Sequence, residues 1–187
     1  MTFMGYHHGD LKAVILAQAA TLVAERGADG ISLRELARAA GVSHAAPAHH
    51  FTDRRGLFTA LATEGFQLLA AALTEARPQF IDAAKAYVRF ALGHPGHYEV
   101  MFDKSLYDDT DAELVAAASA AGAELNRGVG TLADPKAAAD PASAALAAWS
   151  LVHGFSMLWL NDAIDTAGDP IAKVQGLAEI LFDEQVR

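Results

Sequence analysis

Histidines, alanines and arginines gathered between residues 32 and 55 are the side chains best suited to contact a nucleic acid. His44, His49 and His50 can bond to base edges or phosphates, and histidine can gain positive charge near neutral pH. Small alanine side chains allow the backbone to come close to a groove, and their methyl groups can touch thymine methyls. These residue types predict a contact with DNA, if the local structure places them on one surface.

Two short helices joined by a tight turn would provide such a surface. Ser32 and Glu35 form a capping box that starts the first helix, and Gly41 can end it in a left-handed conformation. Ser43 is predicted to cap a second helix over His44–His50. This spacing predicts a helix-turn-helix, whose second helix can enter the major groove. The pattern alone leaves an ordinary helical hairpin as the alternative.

The rest of the chain has helical periodicity and no strand-like alternation. Hydrophobic residues make up 52% of the sequence, and alanine, the best helix former, is abundant among them. We therefore predict an all-α fold of about nine helices. The predicted helices are Leu11–Arg26, Leu33–Ala40, His44–His50, Arg54–Ala76, Gln79–Leu92, Pro95–Phe102, Ala112–Gly128, Pro141–Ala163 and Pro170–Glu184. Thr131–Asp140 is predicted to be a linker.

Charge separates the N-terminal part from the remainder. The first 60 residues hold six of the 14 Lys/Arg and five of the 23 Asp/Glu, so the other 127 hold 8 basic and 18 acidic residues. An acidic body would keep DNA away from all but the N-terminal head. Ordinary acidic solubility would give the same asymmetry. The absence of cysteine excludes disulfides and suits a reducing cytoplasm.

Several stretches resemble the tetracycline-repressor (TetR) family. They are the turn GVS at 41–43, the ending HHF at 49–51 and the following TDRRGLF at 52–58. HPGHYEVMF (94–102) and AWSLVHGF (148–155) resemble the ligand-binding half of the branch named for its Trp-His-Gly pattern. The resemblance implies a DNA-binding head of three helices at 1–53, and a ligand-binding and dimerisation domain at 54–187.

The resemblance and the helical spacing together predict the DNA contacts. Leu33 and Leu36 turn inward, which leaves Arg34 on another face, where it resembles the groove-facing arginine of the family. His50 and Arg54 are expected to hold phosphates. The full predicted set is Arg34, Ser43, His44, Ala45, Ala46, Ala48, His49, His50 and Arg54.

The last two helices are predicted to form a homodimer interface. The helix that begins at Pro141 is apolar nearly all round, so it must be buried between its own domain and another subunit. The resemblance implies a four-helix interface made by this helix pair and its copy. The predicted interface residues are Trp149, Val152, Trp159, Leu177 and Ile180.

Aromatic and sulfur side chains in the body could line a cavity for a small, largely apolar effector. Periodicity does not separate residues that face a pocket from residues that fill the core. The predicted ligand-binding residues are Phe66, Tyr87, Phe90, Tyr98, Met101, Phe102, His153 and Met157.

The sequence gives little indication of catalysis, metal binding or membrane insertion. The chain lacks a glycine-rich phosphate loop, GxSxG and HExxH, so we predict neither an enzyme nor a cofactor. His94, His97 and His153 could form a metal trio, but a helix start and a buried hydrogen bond explain them more simply. No apolar run reaches 18 residues, so we predict no membrane-spanning segment.

These patterns predict a cytoplasmic, ligand-responsive regulator of transcription that binds a double-stranded DNA operator as a homodimer, and that acts as a repressor. The rival is a helical small-molecule sensor that has lost specific DNA binding. Ala48 stands where the family commonly has tyrosine, and His44 where it often has a basic residue. These two departures keep the rival open.

Overall fold

A computed structural model describes residues 8–76 and 79–182, with side chains from residue 11 onward. The described residues form ten α-helices and one 3₁₀ turn, and contain no strand. This confirms the predicted all-α class. The helices are α1 (His8–Arg26), α2 (Leu33–Ala39), α3 (Ala46–Phe51), α4 (Arg54–Glu75), α5 (Phe80–Gly93), α6 (Pro95–Met101), α7 (Ala112–Val129), α8 (Pro135–Ala139), α9 (Pro141–Leu160) and α10 (Pro170–Leu181).

Several helices start after a side chain that accepts a hydrogen bond from an orphan backbone N–H group. Ser32 Oγ accepts from Glu35 N at 3.2 Å, and Asp53 Oδ1 accepts from Gly56 N at 2.7 Å. Asp140 and Asp169 cap α9 and α10 in the same way, each just before a proline. These predicted caps are confirmed.

Two short helical segments are additions to the sequence prediction. The 3₁₀ turn Ala28–Gly30 follows α1, and α8 lies within the stretch predicted to be a linker. Asp134 caps α8 by accepting from Lys136 N at 2.7 Å. The helix has only five residues, too few for a periodic apolar pattern, which is why periodicity misses it.

Packing divides the chain into two compact units. Unit 1 consists of residues 1–65 and 94–116, and unit 2 of residues 66–93 and 117–187. The predicted functional boundary after residue 53 remains a prediction, because a packing unit is not the same as a functional domain.

Unit 1 contains the helical hairpin and α6. Ile15, Leu36 and Phe58 are completely buried in it. Its α6 lies against α1, where a Cβ atom on Gly96 would come within 2.0 Å of Ala20 O, so only glycine permits this approach.

Unit 2 is built around α5, which packs against both α9 and α10. The rings of Phe80 and Phe182 meet edge to face, with centroids 4.7 Å apart. Small side chains of α9 and α10 surround this pair, including Ala144, Ala148 and Ala178. The alanines allow the helices to approach closely.

Within the described part of the chain, α4 and α9 are the two helices whose length and composition would allow them to cross a membrane. Core helices of globular proteins pass the same test, and half of the α4 segment is buried inside the molecule.

Candidate functional site

The second helix of the hairpin, α3, has distinct inner and outer sides. Pro47 and Phe51, one turn apart, are buried and anchor α3 to unit 1. Ala45, Ala48 and His49 are exposed on the other side. The outer surface therefore offers small side chains and a hydrogen-bonding ring, as the sequence predicted.

The start of α3 differs from the prediction. The helix begins at Ala46 rather than at His44, and no side chain caps it. Ser43 instead contributes its carbonyl oxygen, which accepts from Ala46 N at 3.0 Å, so its predicted capping role is wrong. The later start places Pro47 in the first turn, where its missing N–H has no intrahelical partner to lose. Ser43 and His44 lie exposed in the turn before α3.

A tight turn at residues 51–53 joins α3 to α4. Thr52 has φ 63° and ψ −59°, and Asp53 N donates to Phe51 O across it at 2.6 Å. This is a γ-turn with positive φ, which is strained for a β-branched residue. Gly56 packs against the same carbonyl, because a Cβ there would lie 2.0 Å from Phe51 O.

The arginines of the predicted contact set have different surroundings. Arg34 is exposed in the first turn of α2, and His50 is half-buried beside Phe51. Arg54 turns inward: its Nε donates to Ile31 O at 3.1 Å and its Nη2 to Ala28 O at 2.9 Å. The phosphate-facing orientation predicted for Arg54 is therefore not the one observed, because two backbone carbonyls compete for its donors.

A hydrogen-bonded trio of side chains lies in unit 2. Tyr87 Oη is 3.1 Å from His153 Nδ1, and Trp149 Nε1 donates to Tyr87 Oη at 3.3 Å. An indole N–H can only donate, so the Tyr87 oxygen accepts from it and its own proton can go to His153. Burial lowers the pKa of His153, which favours a neutral imidazole.

The other predicted ligand-binding residues are divided between the two units. Phe66 and Phe90 belong to unit 2 with Tyr87 and His153, and Phe90 is buried. Met157 lies on the outside of α9 and is 40% exposed, so it does not line the core of unit 2. The remaining predicted residues, Tyr98, Met101 and Phe102, belong to α6 and its end in unit 1.

The α6 residues in unit 1 pack closely among themselves and with α4. The rings of Tyr98 and Phe102 meet at 5.2 Å, and Met101 O accepts a hydrogen bond from Tyr107 Oη at 3.0 Å. A Cβ on Gly65 would lie 2.6 Å from Met101 Sδ. This tight contact makes Met101 a packing residue within unit 1.

Two of the three candidate metal histidines lie together. His97 Nε2 is 2.9 Å from Glu64 Oε2, and the rings of His94 and His97 are 5.7 Å apart. Burial, then the nearby His97, lowers the pKa of His94, while Glu64 opposes the shift. Among the described residues, no three His, Asp or Glu side chains are arranged to hold a metal ion. His153 lies in the other unit.

A groove that the sequence did not predict runs along unit 2. Its volume is about 610 Å³, within the range of ligand pockets. Small side chains leave this space open between the end of α7, α8 and the start of α9. No sequence signal marks it except the density of alanine and glycine. The lining residues are Asn126, Val129, Gly130, Leu132, Ala137, Ala138, Pro141, Ala142 and Ala145.

The predicted interface residues of α9 and α10 fall on both sides of these helices. Ile180 is 79% exposed, Trp149 is 39% exposed, and Leu177 is also exposed. Val152 is only 1% exposed and packs inside its own unit, so its predicted place in an interface is wrong. A helix that is apolar all round gives no sequence signal for which apolar side faces inward.

Comparison with known families identifies the chain. Residues 15–61 match the family of bacterial regulatory proteins named tetR, and residues 80–181 match the tetracyclin repressor-like C-terminal domain. The chain belongs to the TetR family. It is therefore a transcriptional regulator with a helix-turn-helix DNA-binding region and a C-terminal ligand-binding domain. The assignment to the Trp-His-Gly branch remains a prediction.

Solved structures share the fold along nearly the whole chain. A protein of unknown function from Rhodococcus sp. RHA1 is 37% identical, with 96% of each chain covered and a TM-score of 0.74. NalD, the secondary repressor of the MexAB-OprM multidrug efflux pump in Pseudomonas aeruginosa, is 24% identical. That alignment covers 97% of this chain and 99% of NalD, with a TM-score of 0.63.

A third solved structure shares this fold. AibR, solved in complex with isovaleryl coenzyme A and operator DNA, is 21% identical. The alignment covers 92% of this chain and 98% of AibR, with a TM-score of 0.65. Among curated proteins, no sequence matches the chain.

Proposed function

We propose that this TetR-family chain is a cytoplasmic repressor that binds a near-palindromic operator as a homodimer and is released by a small, largely apolar effector. Two copies of α3 would enter successive major grooves about 34–36 Å apart. The effector would act through different affinities for the DNA-bound and free conformations. NalD and AibR, which have the same fold, are consistent with this arrangement.

The observation that carries the DNA-binding proposal is the two-sided character of α3. Pro47 and Phe51 are buried and anchor the helix to unit 1. Ala45, Ala48 and His49 are exposed on the opposite side, where they could contact DNA. Small side chains suit the major groove because they allow the backbone to come close. Arg34 of α2 and His44 of the hairpin turn are also exposed, and we include them in this surface.

The homodimer proposal rests on the exposed apolar side of α9 and α10. Trp149, Leu177 and Ile180 are joined there by further large apolar side chains. A surface of this kind favours association, because water contact with apolar area is unfavourable. The additional exposed residues are Leu146, Met157, Leu158 and Leu181.

The effector proposal rests on the polar trio within unit 2. An apolar pocket with a few convergent polar groups is the usual form of a small-molecule site. Tyr87 and His153 supply such groups, Trp149 donates to Tyr87, and Phe90 supplies a buried apolar surface. One polar group on a mostly apolar molecule could therefore be oriented here.

The first experiment is selection of duplex DNA from a random-sequence pool by the full chain, followed by mobility shift of the selected site across salt concentrations. A repressor selects a site with two half-sites about one helical turn apart. Failure to select any sequence would contradict the proposal and favour a sensor that has lost its operator. Screening small apolar compounds for release of the selected DNA then tests the effector.

A further inference from the structure

Ala28, which lies between α1 and α2, forms hydrogen bonds with side chains of two other helices. Its N–H donates to Glu99 Oε1 of α6 at 2.9 Å. Its carbonyl oxygen accepts from Arg54 Nη2 of α4 at 2.9 Å, and Arg54 Nε bonds to Ile31 O at 3.1 Å. The carboxylate and the guanidinium thus hold opposite sides of the same short turn.

Arg54 and Glu99 each make a further contact close to this turn. The guanidinium of Arg54 lies over the ring of Phe58, with its carbon 4.6 Å from the ring centroid. Gly27 has φ 77° and ψ 164°, a conformation that L side chains rarely adopt, and it aims the Ala28 N–H away from α1. A Cβ at Gly27 would lie 3.6 Å from Glu99 Oε1, so the carboxylate rests directly above the glycine.

The helix that carries Glu99 is firmly seated in the same unit as the hairpin. The backbone of α6 approaches α1 at Gly96, where any Cβ atom would overlap Ala20 O. Its other side is bound to α4 by the pair His97–Glu64. A carboxylate more than 70 positions along the chain is therefore built into the support of the hairpin.

We propose that Glu99 and Arg54 are positioning residues for DNA binding, and that α6 is a working part of the DNA-binding head. This inference rests on the proposed function. The turn Ala28–Ile31 leads directly into Ser32, the cap of α2, so its position sets where the hairpin begins. Loss of Glu99 would remove the acceptor of the Ala28 N–H. Loss of Arg54 would remove the donor to Ile31 O and one of two donors to Ala28 O, which also accepts from Ile31 N at 3.1 Å. Either loss would loosen the hairpin.

Glu99 contacts this turn from α6, and Arg54 contacts the same turn from α4. Because both act on Ala28, their effects on DNA binding should be coupled rather than additive.

The experiment compares Glu99→Ala with Glu99→Gln in the full chain. Both variants remove the same negative charge, but glutamine keeps an oxygen that can accept from Ala28 N–H. We expect Glu99→Ala to raise the hydrogen-exchange rate of the Ala28 amide about tenfold. We also expect about fivefold or more weaker binding to the selected DNA. Glu99→Gln should stay near the original protein in both measurements, as should Glu113→Ala, which alters an exposed glutamate of α7.

Arg54→Ala separates positioning from a direct phosphate contact. A lost phosphate contact lowers the slope of log affinity against log salt by about 0.9. A lost positioning contact weakens binding at every salt concentration and leaves the slope nearly unchanged. We expect the second pattern, and coupling between Arg54→Ala and Glu99→Ala in the double variant.

An unchanged hydrogen-exchange rate of the Ala28 amide in Glu99→Ala would overturn the inference. So would equal loss of DNA affinity in Glu99→Ala and Glu99→Gln, or a reduced salt slope in Arg54→Ala. Circular dichroism checks that each variant is folded. If the original protein selects no DNA, the proposed function fails and with it the role in DNA binding, while Ala28 exchange still reports whether Glu99 holds the turn.

Discussion

The outer side of α3 and the outer side of α9 and α10 are both exposed, but their side chains differ in size and polarity. α3 presents Ala45, Ala48 and His49, whereas α9 and α10 present Trp149 and Ile180 together with other large apolar groups. Both sides are left over after the inner residues have packed, so the difference is not a consequence of core formation. Under the proposed function, the difference matches the partner of each region, which is DNA for α3 and a second copy of the chain for α9 and α10.

A highly charged, hydrated groove favours small side chains and polar rings, because these let the backbone approach and replace water contacts with hydrogen bonds. A second protein surface favours large apolar groups, because burying them releases water. The contrast teaches that exposure alone does not indicate function. The size and polarity of the exposed side chains do.

The largest effect should come from placing a charge on the apolar side. Ile180→Glu is harmless in a monomer, where residue 180 is already 79% exposed, but buries an unpaired carboxylate in a dimer. We expect about 3–5 kcal/mol weaker self-association, measured by sedimentation equilibrium. Val115→Glu makes the same change at an exposed position of α7 and should have no such effect. Identical association of both variants would show that this side is not the interface.

Enlarging a side chain on the outer side of α3 should have the next largest effect. Ala48→Trp keeps the buried anchors Pro47 and Phe51 but fills the space that a groove would need. We expect binding to the selected DNA to weaken by about 2–3 kcal/mol without loss of helix content. Ala120→Trp, at an exposed position of α7, serves as control. Undiminished binding by Ala48→Trp would place the DNA elsewhere.

Removal of an exposed arginine should have a smaller effect. Arg34→Ala is expected to weaken DNA binding by about 1–2 kcal/mol and to relax the preference at one base pair. The matched control is Arg89→Ala, an exposed arginine of α5 in unit 2. Competition between selected and altered duplexes measures both quantities. If the two variants behave alike, Arg34 is only a surface charge.

The smallest effect concerns stability in unit 2 and its dependence on pH. Burial lowers the pKa of His153, so the unfolded chain takes up the proton first as the pH falls through about 6.5. Folded stability should therefore decrease between about pH 7 and pH 5. His94, whose pKa is also lowered, contributes in the same direction.

Thermal unfolding at about pH 7.5 and about pH 5.5 checks this expectation. His153→Gln removes the titrating group, so its unfolding temperature should depend less on pH than that of the original protein. Tyr87 and Trp149 remain as the rest of the trio in both proteins. An unchanged pH dependence in His153→Gln would show that other groups account for it.

Local sequence rules accounted for much of the fold. Ser32, Asp53, Asp140 and Asp169 each lie within a few residues of the N–H group that they cap, so the contact is set by adjacent sequence. Helix starts were therefore predicted well where a cap exists. The start of α3 was missed because its first turn is closed by the Ser43 carbonyl, which every residue type possesses.

The sequence by itself determined that this protein is helical, where its hairpin lies and which residue types that hairpin could offer to DNA. Only the tertiary structure decided which side of an apolar helix faces inward, as Val152 and Met157 show. It also turned Arg54 from solvent toward the turn at Ala28, and brought Glu99 to the same residue. The physical reason is distance along the chain: a cap is chosen by neighbours, whereas the partner of Glu99 is 71 positions away and exists only after the helices have packed.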